Sequence, residues 1–426
     1  MPTVLCIGCK ALKTSVDADM MRELIKDHLA EAGIAVSQVV AFCSDSGPPN
    51  PTAMHDWNRL ARNLYFGQQL DDSTVLWLPC LMHALSNAGT VLRKLLPGVK
   101  EFMSGFKEMV NTSSASCIAW TEQTQQPCTG LSEKTFWSWY DRSIPLLDVW
   151  GRIPAFLGEA KRRTLAKKSV EKMAEAWKRK TLRAELIFCQ QFGKLFRDAS
   201  FELEGDGFCI AYVWNHIALI LKLSTEVMTH RSNFRMFADA AQQAVRDGLP
   251  AAQAEDFVGQ LVSTAKAVLA HFEQSVMSKM ADLLLLFQAA GLFEPHRFTV
   301  EWSKETFATD RPRWLNLLAG LKGVPPNTRA GLDAELGIYH DLVRNRLQEV
   351  QGTPGLGSPS QLWMWWRGIR EKVPHWYSVA SILVLMQPSS ASIERFFSCV
   401  KANTSGQQSG ESADTFAMRC MCLYNE

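Results

Sequence analysis

From about Leu146 to Leu347, some 200 residues pass without one run of alternating apolar and polar positions. A strand exposed on one face requires that period of two, so this stretch cannot supply such a sheet. Apolar residues return instead every three to four positions over Lys161–Phe188, Phe208–Thr229, Asn233–Asp247, Ala251–Phe287 and Ala330–Gln348. Each run predicts a helix with one buried stripe. The first hundred residues read differently. Val4–Ile7, Val39–Cys43 and Val75–Leu78 are short, continuously apolar runs, and Ala18–Ala32 and Thr52–Phe66 between them carry helical spacing. Buried strands joined by helices predict a sheet covered on both faces. The expectation is an α/β start followed by a long all-helical stretch.

The end of the chain is helical again. Gln351–Ser360, QGTPGLGSPS, reads as a linker. After it, Leu362, Trp365, Trp366 and Ile369 form one apolar stripe that ends at Pro374. Trp376, Val379, Ala380 and Leu383 form a second that ends at Pro388, and Ile393, Phe396, Phe397 and Val400 form a third. A last helix is predicted over Ala413–Tyr424.

Composition narrows the class. Hydrophobic residues are 47% and charged residues 21% of 426, which fits a core-forming chain and not a disordered one. Eleven cysteines make an odd number, and MPTVLCIGCK lacks a basic region followed by an apolar core. The expectation is a reducing, intracellular setting without a disulfide framework. Met280–Phe293 is the most apolar helical run, but Asp282 and Gln288 interrupt it. It falls well short of the roughly 20 residues of a membrane span, so no membrane partner is expected. The net charge of +2 says nothing about nucleic acid, yet Lys161–Arg183 holds ten Lys and Arg against Glu171 and Glu175. Lys161, Arg162, Arg163, Lys167, Lys168, Lys178, Arg179 and Lys180 are therefore candidate DNA contacts, because this is where the local field for phosphates is strongest. The alternative is a solvated helix face.

Several positions have the chemistry of a site. Asp45 ends the second buried strand, before the turn SGPPNP. Sites in open α/β sheets form at the carboxyl ends of strands, and a carboxylate there suits a hard cation such as Mg²⁺. Asp is equally a turn residue. Cys80-x-x-His83 follows the third strand, and Cys6-x-x-Cys9 spans the first. One such pair supplies at most two of the four ligands of a structural zinc, so a buried thiol and a packed histidine compete with metal binding. His83 also has the reach to fix its neighbouring loop by a hydrogen bond. Trp137 and Trp139 in TFWSWYD read as core or as platforms for an unpaired base. Glu394 lies off the stripe of its helix, with Ser398 one turn on, either solvated or projecting into a cleft.

PSSASIERFFSCV (Pro388–Val400), followed by a Gly/Gln loop and MRCMCLYN, resembles the C-terminal dimerisation region of hAT-superfamily transposases. That family carries Ser-Ser, then Glu-Arg, then Phe-Ser, and an apolar helix ending in Tyr-Asn. The similarity runs over about 60 residues, including the step Pro374–Trp376 and Ala380 and Leu383 before Pro388. The resemblance implies a ribonuclease-H-like core interrupted by a large helical insertion, mainly α overall. It divides the chain into 1–145 (first part of the core), 146–350 (insertion), 351–360 (linker) and 361–426 (dimerisation region completing the core). By the same resemblance Asp45, followed by Asn50, is the family's second catalytic Asp, and Glu394 of the pair Glu394-Arg395 is the third carboxylate. Cys80 and His83, with Leu85 and Asn87 after them, match its Cys-x-x-His, so Cys80, His83, Trp137, Arg395 and Ser398 become site-supporting residues. Ile393, Phe396, Phe397, Val400, Phe416, Leu423 and Tyr424 become the dimerisation surface.

Two departures bear on activity. The family's first catalytic Asp ends a strand upstream of the one matching Val4–Ile7, and Asp17 and Asp19 do not replace it. The family's Thr-Arg-Trp is Thr135-Phe136-Trp137 here, so the Arg suited to bidentate phosphate contact is gone. The family's N-terminal zinc finger has no match. The expectation is a nuclear, transposase-derived protein that self-associates, associates with DNA and has lost catalysis, with Mg²⁺ as cofactor only if active. The alternatives are an active DNA transposase with an incomplete N-terminus and a helical interaction scaffold unrelated to DNA.

Overall fold

In a computed structural model of the chain, the described residues are 18–35, 38–44, 76–128, 137–162, 165, 167–204, 207–229, 234–350 and 357–390. The fold is mainly helical, 79% helix against 3% strand. In chain order, α1 covers Ala18–Glu31, β1 Ala41–Ser44, β2 Leu76–Pro79, α2 Leu81–Leu95, α3 Pro97–Thr112 and α4 Lys167–Trp177. There follow α5 (Leu182–Glu204), α6 (Ile210–Thr229), α7 (Ala251–Met280), α8 (Pro295–Trp302), α9 (Leu336–Val350), α10 (Pro359–Ile369) and α11 (Pro374–Leu383), with further helices between the labelled ones. The strands expected at 39–43 and 75–78 are present as β1 and β2, and they pair in parallel with Cys43 opposite Leu78 and Ser44 opposite Pro79. The runs Val4–Ile7 and Thr52–Phe66 lie outside the described residues.

The described residues fall into two compact units, one drawn from 1–83, 201–218 and 276–426, the other from 84–200 and 219–275. In the second, α3 and α4 pack at a very close approach. A Cβ on Gly105 would stand 2.8 Å from the Ser169 carbonyl oxygen and from Met173 Cγ, so only glycine lets the two backbones meet there. The first turn of α3 has no cap of its own from Leu96. Glu185 of α5 supplies it, accepting the Val99 N–H at 3.1 Å and the Thr181 hydroxyl at 2.9 Å. This carboxyl is 2% exposed, and burial pushes its pKa above the usual 4.5, against the hydrogen bonds that favour the anion. A carboxyl raised in the folded state stabilises fully below pH 4.5, and that contribution is lost as pH rises through the folded value. Glu185→Gln is therefore expected to flatten the fall of the thermal midpoint above pH 4.5. A variant with the slope of the wild type would show that Glu185 does not set it.

The first unit is centred on aromatic rings. Tyr339 stacks on Trp376 at 4.3 Å and on Trp366 at 5.2 Å, and Phe293 lies 5.1 Å from Trp366. Their polar atoms are all matched, as burial requires. Tyr339 donates to the Leu292 carbonyl (2.7 Å), Trp366 to that of Phe293 (3.1 Å) and Trp376 to that of Leu332 (3.0 Å). Glu335 caps α11, accepting the N–H of His375 at 3.1 Å and of Trp376 at 3.3 Å. The expected stripe Trp376, Val379, Ala380 and Leu383 is buried throughout. On α10 the buried face is Leu362, Trp363, Trp366 and Ile369, with Trp365 only half-buried. Trp363 takes the place expected of Trp365 because it stacks on Tyr377 at 5.9 Å.

Candidate functional site

The carboxyl ends of β1 and β2 come together through backbone hydrogen bonds. Cys80 N–H donates to the Ser44 carbonyl at 2.8 Å, one residue beyond the paired segment, and the Trp77 indole donates to Ser44 Oγ at 2.9 Å. β2 is an apolar strand buried on both faces, Leu76, Trp77 and Leu78 each being under 5% exposed. This burial fixes where the strand ends, and hence where Cys80 and the start of α2 stand.

A third segment meets these ends. Leu81 N–H donates to the Pro388 carbonyl at 3.0 Å. Cys80 Sγ accepts from both the N–H and the hydroxyl of Ser390, each at 3.3 Å, although 310 positions separate the two residues. Cys80, Ser389 and Ser390 are all buried. Cys43, and His83 within the first turn of α2, also act on this sulfur. The Cys80 thiol is held well below its usual pKa, first by the Cys43 hydrogen bond and then by those of His83 and Ser390, all working against burial. Cys43 is pushed well up by the same hydrogen bond and by burial, so it keeps its proton. The sulfur is thus a buried acceptor with converging donors.

Of the residues read from the sequence, Cys80 and His83 stand together here. Asp45, Ile393, Glu394, Arg395, Phe396, Phe397, Ser398, Val400, Phe416, Leu423 and Tyr424 lie outside the described residues, as do Cys6, Cys9, Asn50 and Phe136. Ser44 and Ser390 are the described residues nearest to Asp45 and Glu394 in sequence, one position and four positions away. Cys43 and Ser390 were missed as site residues. Cys43 reads as one more apolar strand position, and Ser390 carries only the Ser-Ser signal before Glu394. Among the described residues, no group of three or more His, Cys, Asp or Glu could hold a metal ion. The sulfur is a soft ligand and its acceptor positions are taken, which does not suit the hard Mg²⁺.

Trp137 sits in the other unit, 2% exposed, and precedes a short helix, Ser138–Ser143. Its φ of 64° is left-handed, a conformation costing a non-glycine residue about 1–2 kcal/mol. Packing holds it there. It stacks on Trp139 and Phe196, each at 5.9 Å, and its ring lies so close to Gly89 that a Cβ there would be 2.9 Å away. Both expected tryptophans, 137 and 139, are therefore core residues of this unit.

The basic stretch is partly engaged within the protein. Arg179 makes a bidentate pair with Glu101 at 3.0 and 3.1 Å, Lys178 pairs with Glu175 at 2.5 Å, and Lys180 donates to the Gly248 carbonyl at 2.8 Å. Exposed pairs of this kind are each worth about 0.2–1 kcal/mol, so a phosphate can displace them at small cost. Lys161 and Lys168 are exposed. Arg163 and the side chains of Arg162 and Lys167 are outside the described set. Among the described residues no helix is long and apolar enough to cross a membrane. The chain matches no protein-family model and no curated protein.

Proposed function

We propose that this chain is derived from a hAT-superfamily transposase and works as a nuclear, self-associating, DNA-associating protein. In this reading a ribonuclease-H-like core is built from both ends of the chain. The observation that carries it is the junction of Ser44, Cys80 and Ser390. Ser44 and Ser390, which in sequence precede the expected Asp45 and Glu394, are both tied to Cys80 although 346 positions separate them. The carboxyl ends of strands, where this junction lies, are where sites of α/β sheets form. By the family resemblance, Asp45 and Glu394 are the groups that would hold Mg²⁺ if the chain were active.

Catalysis on DNA is not part of the proposal. Two-metal phosphoryl transfer holds both ions about 3.5–4 Å apart between several carboxylates. The motifs matched here offer two, and Phe136 stands where the family has its Arg. Incubating the 426-residue chain with supercoiled DNA and Mn²⁺ is expected to give no nicking. Nicking that disappears in Glu394→Gln would overturn this part of the reading.

DNA association is tested by its salt dependence. Each phosphate contact contributes about −0.9 to the slope of log K against log salt. Replacing both Lys161 and Lys168 by alanine is expected to reduce the slope by about 2, while affinity falls alike for unrelated sequences. Binding that does not vary with salt would favour an interaction scaffold unrelated to DNA.

A further inference from the structure

We propose that Trp150 and Trp177, with Arg183 set over the first, form a stacking platform for an unpaired base of a DNA strand, whose phosphates the basic turn after Trp177 holds. The inference rests on the DNA association proposed above and adds the kind of strand and the residues that take it. Trp177 ends α4, the next three residues are Lys178, Arg179 and Lys180, and Arg183 stands in the first turn of α5. Trp150 comes to this turn from the 3₁₀ turn Trp150–Arg152. The two indole centroids are 4.1 Å apart with planes 32° from parallel, and the Arg183 guanidinium lies 5.5 Å from the Trp150 centroid.

Packing alone does not account for this pair. Large rings that fill the same unit are closed off from solvent, Phe102, Trp120 and Phe156 each being 2% exposed or less. Trp150 and Trp177 are only half-buried, so indole surface meets solvent at the turn that carries the cations. Every base has a π-face, and indole rings and guanidinium planes both stack on it without regard to sequence. The cations themselves are loosely engaged. Lys178 and Arg179 pair with Glu175 and Glu101, both exposed, and Arg183 stands 3.9 Å from Asp247, at the limit of an ion pair. Pairs this exposed are weak and exchange readily for a phosphate. Lys180 donates to the Gly248 carbonyl, a partner that leaves its charge for the strand. A duplex keeps its bases stacked on one another, so the indoles find a free π-face only where a strand is unpaired.

The test uses the full chain and fluorescein-labelled probes of one length: oligothymidine, an abasic strand with the same phosphates, a blunt duplex and oligouridine. Binding is read by fluorescence anisotropy over a series of salt concentrations. Wild type is expected to bind oligothymidine about 5–150-fold more tightly than the abasic strand, the range for one stacked base. Trp150→Leu keeps apolar bulk but has no π-face, and is expected to lose that preference at every salt concentration. Its slope of log K against log salt stays that of the wild type, because a stacked base releases no counterions, and its duplex affinity is unchanged. Trp150→Phe is expected to recover most of the preference. Trp177→Leu tests the same platform if Trp150→Leu alters the circular dichroism spectrum. Equal binding of oligothymidine and the abasic strand by wild type would overturn the platform and leave salt-dependent DNA association standing. So would an unchanged preference in the leucine variants, or equal losses on every probe, which is the mark of a structural role. Oligouridine bound more tightly than oligothymidine would overturn the assignment to DNA. A wild type that binds none of the probes would overturn DNA association itself, and the platform with it.

Discussion

Trp376→Ala is expected to lower stability by about 3–5 kcal/mol, the range for truncating a fully buried large aromatic side chain. Trp376 is 0% exposed and lies at the meeting point of Tyr339, Phe293 and Phe298. Its loss opens a cavity and leaves the Leu332 carbonyl without the indole donor 3.0 Å away. An unpaired buried acceptor alone costs about 1–3 kcal/mol. Since whole domains are stable by only about 5–15 kcal/mol, the variant is close to unfolding at room temperature. Urea denaturation followed by far-ultraviolet circular dichroism measures this. Trp376→Phe keeps much of the ring area but not the N–H, so it is expected to lose less. Trp302 is the control. It is 37% exposed and stacks on His340 at 4.3 Å, so Trp302→Ala should cost far less. A loss under about 1 kcal/mol for Trp376→Ala, the size of an ordinary substitution, would show that the aromatic centre does not carry the unit.

Local spacing made some of this architecture legible. Continuously apolar runs announced β1 and β2 because a strand buried on both faces has no polar alternation to hide it. The stripe of α11 was legible for a similar reason, as one face meets one core. Helix lengths were not. Lys161–Phe188 reads as a single helix yet includes the end of Ile153–Arg162, all of α4 and the start of α5. No proline or glycine marks the break before Leu182. Around it Arg179 reaches Glu101 and Lys180 reaches the Gly248 carbonyl, partners no helical period encodes. Likewise Ala330–Gln348 is divided at Glu335, whose carboxylate serves the first turn of α11 from 40 positions away. The candidate site shows the same limit. Cys80 and His83 were visible as a spaced pair, but their partner was not, because the sequence gives no local sign of which distant hydroxyl a buried thiol will meet. Ser390 becomes a site residue only when the fold brings residues 80 and 390 together.

The largest effect on function is expected at Phe396. For the proposed homodimer, the spacing of Ile393, Phe396, Phe397 and Val400 predicts one apolar stripe, and that of Phe416, Leu423 and Tyr424 a second apolar face. Micromolar association requires about 8 kcal/mol, over and above an entropic cost of association of about 4–15 kcal/mol. Burying one Phe side chain contributes about 1.5–3 kcal/mol, so no single phenylalanine suffices and both apolar faces are required. A two-fold interface contains each residue twice. Phe396→Ala is therefore expected to cost the dimer about 3–6 kcal/mol, a rise in Kd of about 10²–10⁴-fold. Light scattering at micromolar concentration should give twice 47.7 kDa for the wild type and the single mass for the variant, with the same circular dichroism spectrum. If Phe396 belongs to the core of one chain instead, the variant loses helix signal along with any change of mass. A wild type that scatters as a single chain at that concentration removes the dimer from the proposal, because the gain from both faces would then fall short of the cost of bringing two chains together.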